Sequence, residues 1–442
     1  MMRVRRLVMT GAAAVVLLAS ACGSRGADEG GVQRLKGQRL EVAAVWSGEE
    51  QANFENVLRR FERRTGAEVR FTSTGRNIAT VLGSRIQGGD SPDVALLPQP
   101  GLLGDLARSG ALEPIEPVAG PLVGANYAPV WRELGSVDGT LYGVWFKAAN
   151  KSTVWYRTKA FFDAGVAPPK TWEKFQEVSA RLANKGLVPL VIGANDGWTL
   201  TDWFENVYLR TAGPEKYDQL VSRRIPWTDD SVKDALRTLG QMLGRSEWLA
   251  GGVDGVLATT FERSVVETFG QPTPDEPDAK GRAAMTMEGS FVAANIAHDT
   301  RTEVGTDARF FDFPAINKSK KSVIFGGDVA VLLKGSEAGR ELIKFLATPL
   351  AAEPWAEAGG FISPNRSVDP AAYPDLTTRQ LARALVEPGV VRFDLSDLVP
   401  ASFGATNGQG MYQVLQDWLR NPADVDTAAA QLEAAALAAD GA

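Results

Sequence analysis

The feature that most constrains the fold is a regular alternation of strand-like and helix-like segments early in the chain. Three runs rich in β-branched and apolar residues are separated by two segments whose apolar residues recur at helical spacing. Strands joined by helices pair in parallel through right-handed crossovers. We therefore predict an α/β fold whose first unit contains a parallel sheet. The predicted strands are 40–45, 68–71 and 93–97, and the predicted helices run through Phe54 and Phe61 and over 78–86.

Length and charge narrow the class of protein. A chain of 442 residues exceeds one ordinary hydrophobic core and predicts two lobes. Charged residues make up 23% and the net charge is −6, whereas a nucleic-acid binder shows a basic excess or a basic patch. We therefore expect no nucleic-acid partner. After the first twenty residues, no run is long and apolar enough to span a bilayer.

The N-terminus has the composition of an export signal. Three arginines precede an apolar stretch at 7–19, and small residues lead to Cys22. The segment 18–23 resembles the bacterial lipoprotein signal, in which the cysteine is diacylated and becomes the mature N-terminus. Ala19 stands where that signal prefers a bulky aliphatic residue. We expect an exported protein, anchored on the outer face of the cell membrane by lipid on Cys22. The predicted segments are a lipoprotein signal peptide, 1–22, and a flexible tether, 23–38.

No catalytic or metal-binding motif stands out in the sequence. The single histidine, His298, has no metal ligand three or four positions away and is interpreted as a surface or capping residue. Cys22 is the only cysteine, which excludes a disulfide within the chain and a multi-cysteine metal site. The sequence contains no nucleophile elbow, phosphate-binding loop or dinucleotide fingerprint. We therefore predict a protein that is not an enzyme and uses no cofactor or metal.

The stretch 193–206 predicts the place where a ligand binds. An apolar run at 187–192 is interpreted as a buried strand, and 203–210 is interpreted as a helix that follows a glycine-rich turn. In open α/β sheets, ligands lie beyond the carboxyl ends of strands, where such turns gather. Three Ser/Thr capping signals predict helix starts: Ser47 followed by Glu50, Thr171, and Thr199 followed by Asp202.

The aromatic and acidic residues of this stretch suit a carbohydrate. Trp198 and Trp203 offer flat faces to the C–H groups of a sugar ring, and Asp202 offers acceptors to its hydroxyl groups. Large aromatics after a strand are also common in hydrophobic cores, so either tryptophan could instead be a core residue. Asp202 could be only a helix cap. The sequence leaves these alternatives open.

A second group of polar and aromatic residues follows the first strands. Trp46 and Glu49 come after the first predicted strand and Gln99 after the third, so parallel pairing places them on one rim. An extended, aromatic-rich stretch at 141–156 suits a crossing between two units. Lys147 within it could donate hydrogen bonds to a ligand.

Several short blocks, taken together, resemble a known family. They include 284–291, Gly326-Gly327-Asp328 and the glycine- and aromatic-rich loop 359–365. With the export signal and two α/β units, these blocks resemble the extracellular solute-binding proteins of bacterial ABC sugar importers, the maltose-binding-protein superfamily. The α-glucoside-binding branch often carries extra cysteines, which this chain lacks. The blocks that look most like that branch are 146–148, 155–156, 197–203, 209–213 and 326–328.

The resemblance implies a periplasmic-binding-protein-like α/β fold: two lobes joined by a multi-crossing hinge, with a ligand cleft between them. Lys147, Gly326 and Gly327 are predicted hinge residues, the glycines because they accept backbone dihedrals that other residues cannot. The predicted boundaries are 39–146 and 327–365 for lobe one, 151–325 and 366–442 for lobe two, and 147–150 with 325–328 for the hinge. The ligand shell implied by the similarity is Trp46, Glu49, Gln99, Trp198, Asp202, Trp203, Glu288 and Phe361.

The resemblance also implies the function and the partners. A monomer would bind a carbohydrate, an α-glucoside or another di- or oligosaccharide, and deliver it to the transmembrane subunits of an ABC permease. Two alternatives remain. A secreted glycoside hydrolase would share the sugar-binding loops, and the sequence cannot place its two carboxylates at the separation that the reaction requires. A solute-binding protein for a polyamine would use the same aromatic and acidic residues.

Overall fold

The computed structural model describes residues 33–271, 281–384 and 390–440. The strands in these ranges are β1 Arg39–Ala44, β2 Glu68–Ser73, β3 Val94–Leu97, β4 Ser136–Val137, β5 Thr140–Leu141, β6 Gly143–Asn150, β7 Thr153–Arg157, β8 Val188–Val191, β9 Ala283–Met287, β10 Ala308–Asp312, β11 Ser322–Leu332 and β12 Val390–Phe393.

Helices surround these strands. Those in the described ranges are α1 Gly48–Thr65, α2 Ile78–Gln87, α3 Pro100–Arg108, α4 Glu116–Asn126, α5 Pro129–Leu134, α6 Thr158–Ala164, α7 Trp172–Asn184, α8 Trp198–Ala212, α9 Pro214–Val221, α10 Asp230–Leu243, α11 Gly252–Ala258, α12 Phe261–Phe269, α13 Val292–Thr300, α14 Glu337–Leu346, α15 Pro349–Ala358, α16 Leu376–Ala384, α17 Leu395–Leu398, α18 Ala401–Gly404, α19 Gly410–Trp418 and α20 Val425–Asp440. None of the helices that the structure describes combines the length and hydrophobicity required to cross a bilayer.

The larger sheet confirms the parallel unit predicted from the alternation of strands and helices. Strand β1 pairs in parallel with β2 and with β3, in the order β2-β1-β3. The long strand β11 extends this sheet: it is antiparallel to β3 and to β6 and parallel to β12. The sheet is therefore parallel only in part, because chain that returns late in the sequence completes it. We call this sheet and the helices packed on it the first unit.

The smaller sheet has the order β10-β7-β9-β8 and forms the second unit with the helices around it. Strands β8 and β9 are parallel, whereas β7 is antiparallel to both β9 and β10. Helices α7 and α8 contribute several of the largest buried side chains of its core, including Phe175, Phe204 and Tyr208. Each unit thus has a hydrophobic core of its own.

Adjacent chain segments cross between the two units. Strand β6 ends at Asn150 in the larger sheet and β7 begins at Thr153 in the smaller one, so Lys151 and Ser152 make the crossing. The Ser152 hydroxyl donates to Asn206 Oδ1 at 2.6 Å and accepts the N–H of Ile324 at 2.8 Å. Helix α8, the crossing and β11 are therefore tied together at one point.

The lobe boundaries remain a prediction, and the structure adds detail at two places. Strand β12 pairs with β11 in the larger sheet, although 366–442 was assigned wholly to lobe two. Val368 and Tyr373 also pack in the core of the first unit. The reason is that the chain passes back across the first unit before it reaches the C-terminal helices.

The predicted tether is wrong at its end. Leu35 is buried against the first unit, and its N–H donates to the carbonyl of Thr65 at 2.9 Å. Residues 33–38 therefore pack on the first unit, because the apolar side chain of Leu35 finds a site there. The signal peptide, Cys22 and 23–32 lie outside the described residues.

One of the three capping signals is confirmed. Thr171 accepts the N–H of Lys174 at the start of α7. Ser47 makes no such bond at the start of α1, and α8 begins at Trp198 rather than near Trp203. The hydroxyl of Thr199 lies within the first turn of α8 and donates to the carbonyl of Gly193 at 3.0 Å, so it cannot cap the helix.

Candidate functional site

Aromatic rings of the first unit gather where β1 and α15 end. The ring centroids of Trp46 and Trp355 are 4.8 Å apart in an edge-to-face arrangement. Phe361 stacks on Trp355 at 5.1 Å and lies 5.3 Å from Phe146. Gly360 has a φ of 65°, and a Cβ there would lie 2.4 Å from the Cβ of Ala294 in α13. A glycine is required because this loop passes so close to the second unit.

Aromatic rings of the second unit face the same region. Trp198 begins α8, and its ring centroid is 5.5 Å from that of Phe261 and 6.1 Å from that of Phe291. Phe291 immediately precedes α13. A Cβ on Gly289 would lie 2.4 Å from the ring of Phe291, so that glycine leaves room for the ring. Both units thus contribute aromatic rings to the region where they meet.

Lys147 lies between the two groups of rings. Its Nζ is 5.0 Å from the ring centroid of Trp355, 5.4 Å from that of Phe291 and 5.5 Å from that of Trp46. The ammonium also forms an ion pair with Glu50, in the first turn of α1, and the lysine is buried. Asp328 lies directly opposite Lys147 in the ladder of β6 and β11. Burial raises the pKa of Asp328 to about 6, although the positive charge of Lys147 opposes that shift.

Lys151, four residues further along, lies among carboxylates. Its Nζ is 2.5 Å from Asp394 Oδ2, 3.3 Å from Asp202 Oδ1 and 3.6 Å from Asp397 Oδ2. Burial alone would lower the pKa of the Lys151 ammonium, but these charges outweigh it and raise that pKa well above its usual value. The ammonium also lies 5.7 Å from the ring centroid of Trp198.

The carboxylates around Lys151 do not share one protonation state. Burial would raise the pKa of Asp394, but Lys151 lowers it to about 2, so this carboxylate is charged. Burial raises the pKa of Asp202 well above its usual value despite Lys151, and a bond to Asp394 raises it further. Lys151 and Asp394 are therefore the charged pair, whereas burial favours the protonated form of Asp202. Within the described residues, no three acidic, histidine or cysteine side chains are arranged to hold a metal ion.

Glu205 of α8 ties this helix to the segment that carries Asp394. It is completely buried and accepts the N–H groups of Leu395 at 2.7 Å and Ser396 at 2.9 Å. These N–H groups begin α17, where a carboxylate also satisfies donors that the helix leaves unpaired. Helix α8 is thus held to the segment that carries Asp394, which directly follows β12 of the larger sheet.

Several buried polar side chains in the described residues have an atom without a hydrogen-bond partner, and three of them belong to Gln99, Glu288 and Asn150. The atoms are Gln99 Oε1, Glu288 Oε2 and Asn150 Nδ2. Glu288 lies at the end of β9, and burial, aided by Asp202, raises its pKa well above the usual value. A protonated Glu288 can donate as well as accept a hydrogen bond. Buried polar atoms of this kind are the ones that a polar ligand satisfies.

The two glycines of β11 are required by close contacts. Neither Gly326 nor Gly327 has a positive φ, so the structure does not support the dihedral argument made from the sequence. A Cβ on Gly327 would lie 2.3 Å from the carbonyl oxygen of Lys147, and one on Gly326 would lie 2.8 Å from Lys151 Cε. The absence of side chains there lets β11 approach β6 and the stem of Lys151.

The predicted site residues do not all lie in one place. Trp46 and Phe361 lie beside Lys147, and Trp198 and Asp202 lie beside Lys151. Glu49 lies further out, with Oε2 at 3.5 Å from Nε2 of His298 across the two units, and His298 is an exposed residue in the last turn of α13, as the sequence predicted.

Trp203, which was also predicted as a ligand contact, lies in the hydrophobic core of the second unit. It is completely buried and stacks at 6.2 Å on Phe175 and at 5.6 Å edge-on against Phe313, both in the second unit. One residue along a helix rotates the side chain by 100°. Trp203 therefore points into the core while Asp202 points to Lys151, and the prediction of Trp203 as a ligand contact is wrong.

Sequence reasoning missed most of the residues that surround the two lysines. Asp394 accepts the N–H of Asp397 at the start of α17, and that Asp-x-x-Asp spacing is a signal that could have been found. Nothing local marks Lys151, since a lysine between strands is ordinary. The other residues missed are Glu50, Glu205, Phe291, Asp328, Trp355 and Tyr412.

A cavity of about 300 Å³ lies beside Tyr412 in the second unit. A Cβ on Gly197 would lie 2.5 Å from the Tyr412 ring, so the ring packs directly on the turn before Trp198. Asn407, on the rim of the cavity, lies 3.4 Å from Asn77 of the first unit. Carboxamides form much of the lining: Asn195, Asn407, Gln413 and Gln416.

Two α/β units joined by neighbouring crossing strands, with aromatic and polar groups converging between them, define a two-lobed binding protein. Comparison with known protein families supports this class of protein. The family described as bacterial extracellular solute-binding proteins matches residues 46–353, and the chain belongs to that family.

Two relatives cover most of the chain. One is the osmoprotective compounds-binding protein GgtB of Synechocystis sp., 34% identical over 373 residues, which are 83% of this chain and 86% of the relative. The other is the alpha-glucosides-binding periplasmic protein AglE of Rhizobium meliloti, 34% identical over 385 residues, 84% of this chain and 82% of the relative.

The solved structure of the bacterial solute receptor AcbH, described as having a substrate preference for β-D-galactopyranose, superposes with a TM-score of 0.79. It is 20% identical and covers 91% of this chain and 99% of AcbH. The periplasmic-binding-protein-like fold that the resemblance implied is confirmed.

Proposed function

We propose that the protein captures a carbohydrate between its two units and delivers it to the membrane subunits of an ABC importer. The ligand class is an α-glucoside or another di- or oligosaccharide. The observation that carries the proposal is the convergence of aromatic faces from both units on one region. Trp46 and Trp355 come from the first unit, and Trp198 and Phe291 come from the second.

The chemistry of this region suits a sugar. Indole and phenyl faces pack against the C–H faces of a pyranose ring, which are apolar. Hydroxyl groups both donate and accept hydrogen bonds, and the unpartnered atoms of Gln99, Glu288 and Asn150 include acceptors and donors. The two relatives at 34% identity support the same class, since one is named for α-glucosides and the other for osmoprotective compounds.

Capture requires the units to open and close. We propose that they move about 147–150 and 325–328, where β6 and β11 cross, and that bound ligand favours the closed form because it contacts both units. The permease would recognise that form. The protein would act as a monomer, held near the permease by lipid on Cys22, which raises its effective concentration there.

The test is a ligand screen on the purified protein. Maltose, trehalose, sucrose, galactose and spermidine are compared by thermal shift and calorimetry, and each sugar is recovered afterwards to check for hydrolysis. A sugar at about 100 times its Kd should raise stability by about 2.7 kcal/mol. Recovery of the sugar intact supports a binding protein. Binding of spermidine alone, or hydrolysis of a glucoside, would overturn the proposal in favour of a polyamine binder or a hydrolase.

Trp198→Ala supplies the residue-level test. It should lower sugar affinity at least tenfold, because a ring-stacking contact of about 1.4 kcal/mol is removed. Phe162→Ala is the matched control, because Phe162 is an aromatic that lies 84% exposed on α6 and contacts none of these rings. Equal affinities for both variants would remove Trp198 from the site.

A further inference from the structure

The surroundings of Lys147 form an aromatic cage around a cation. Three rings lie within about 6 Å of its Nζ, which is the range over which a ring attracts a cation. They come from three separate places in the chain: Trp46 after β1, Trp355 in α15 and Phe291 before α13. Such a convergence is not a consequence of one local motif.

Carboxylates complete the cage. Glu50 pairs directly with the Lys147 ammonium, and Asp328 lies opposite Lys147 in the sheet. Rings that face a cation, together with an acidic group, are the arrangement that binds quaternary ammonium and methylated amine ligands. Here the position of that ligand is taken by the chain's own side chain.

We propose that this cage is an ammonium-binding site that Lys147 fills permanently, so that the cleft excludes cationic ligands and admits uncharged ones. A cationic ligand would have to displace an ammonium that is covalently held at its site, and it would meet that positive charge on approach. A neutral polyol meets no such repulsion, and its hydroxyl oxygens can accept from the same ammonium. The proposal rests on the proposed function for the place of the ligand, but its test requires no sugar.

Removing the lysine should expose the site. Lys147→Ala leaves Trp46, Trp355, Phe291 and Glu50 in place and opens the volume that the lysine stem filled. We expect Lys147→Ala to bind choline at least about tenfold more tightly than the wild type does. Choline is compared with 3,3-dimethyl-1-butanol, its uncharged isostere, by calorimetry on the whole protein. The double variant Lys147→Ala/Glu50→Gln should lose the gain, since it lacks the carboxylate.

Each outcome decides the proposal. Preference of Lys147→Ala for choline over the isostere, lost in the double variant, supports it. Equal binding of choline and isostere by Lys147→Ala would mean an apolar cavity only, and equal choline affinities of the wild type and Lys147→Ala would mean that Lys147 excludes nothing; either result overturns the proposal. A folded Lys147→Ala that binds neither compound also overturns it.

A measurement on the wild type covers the case in which Lys147→Ala does not fold. The rings should shift the Cε methylene protons of Lys147 upfield, which can be observed by NMR with ¹³C-labelled lysine and assigned with Lys147→Arg. An ordinary shift would overturn the proposal. Titration of maltose into the same variants reports separately on the proposed function, because a gain in choline binding does not depend on sugar affinity.

Discussion

Two lysines, Lys147 buried and Lys151 partly buried, lie four residues apart where the chain leaves β6 and crosses between the units, and their surroundings are opposite in kind. Lys147 is enclosed by aromatic rings with one paired carboxylate, whereas Lys151 is enclosed by three carboxylates and one ring. The rings around Lys147 come from both units. The carboxylates around Lys151 come from α8 and α17, which are fastened to each other by Glu205.

The difference separates a position whose partners come from both units from one whose carboxylates are tied to each other. If the units open, the surroundings of Lys147 divide, because Trp355 and Phe291 belong to different units. The carboxylates around Lys151 stay together, because Glu205 ties α8 to the start of α17. A buried ion pair that belongs to one rigid body contributes to folding, whereas one that spans two bodies contributes to closure.

The largest expected effect is on Lys151. Lys151→Met should lower the free energy of unfolding of the ligand-free protein by about 3–5 kcal/mol, because it leaves buried carboxylates without their cation. Urea denaturation measures this. Lys159→Met is the control: Lys159 forms an exposed pair with Asp163 on α6, and its loss should change stability by about 0.5 kcal/mol or less. Equal effects would mean that the acidic group is already neutral and that Lys151 is not its counter-ion.

A similar contrast holds between two tryptophans of α8. Trp203→Ala should cost about 3–5 kcal/mol of unfolding free energy, since it opens a cavity between Phe175 and Phe313. Trp198→Ala, at the half-buried start of the helix, should cost about 1 kcal/mol and act mainly on ligand affinity. Thermal melting of both ligand-free variants provides the comparison. A collapse of Trp198→Ala would place both tryptophans in the core.

The two tryptophans also show which features could be predicted from the sequence and which could not. The alternation of strands and helices correctly predicted the β2-β1-β3 arrangement, because hydrophobic periodicity is a local property. The choice between core and site for Trp198 and Trp203 was left open, because it depends on where α8 begins. At that start Gly197 packs against the ring of Tyr412, more than 200 residues away in the chain, and local sequence patterns do not include such a contact.

The residues around Lys151 could not be predicted from local sequence patterns, for the same reason. Lys151 meets Asp202 and Asp394 only after three distant segments have folded together. The order of the strands led to Trp46 and the crossing stretch led to Lys147, whereas the family resemblance led to Phe361. Short blocks of sequence could not predict that rings from both units surround Lys147, because this depends on how the two units pack against each other.

Burial raises the pKa of Asp328, and the charges of both lysines lower it, Lys147 more than Lys151. Its pKa in the folded protein, about 6, is above the usual 3.8, so the stability that it contributes is fully present below pH 3.8 and is lost as pH rises through 6. The unfolding free energy of the wild type should therefore fall by about 2–3 kcal/mol from pH 4 to pH 7 relative to that of Asp328→Asn. Denaturation at a series of pH values tests this, and parallel profiles would contradict it.

Lys147→Met should have a smaller effect than Lys151→Met on the ligand-free protein. The methionine stem keeps its contact with the rings, and Glu50, whose side chain is 23% exposed, can be hydrated by water. We expect a loss of about 1–2 kcal/mol in the free energy of unfolding, of the order of a desolvated cation–π contact. If both lysine variants lose the same amount, the two positions do not differ in the way their surroundings indicate.

The smallest effect concerns the one charged contact found between α1 and α13. His298 donates toward Glu49 at 3.5 Å and pairs with Asp299 at 2.8 Å, and these are the two carboxylates within 4 Å of its ring among the described residues. Its bond to Asp299, aided by the charge of Glu49, raises the pKa of His298 above 6.5, so the contribution is fully present below pH 6.5 and is lost as pH rises through the raised value. Because the ring is exposed, His298→Gln should change stability by less than about 0.5 kcal/mol. The contact nevertheless spans the two units, so small-angle scattering of the ligand-free wild type should show a slightly larger radius of gyration at pH 8.5 than at pH 5.5. His298→Gln should remove that difference, and a difference that persists in the variant would assign it to other groups.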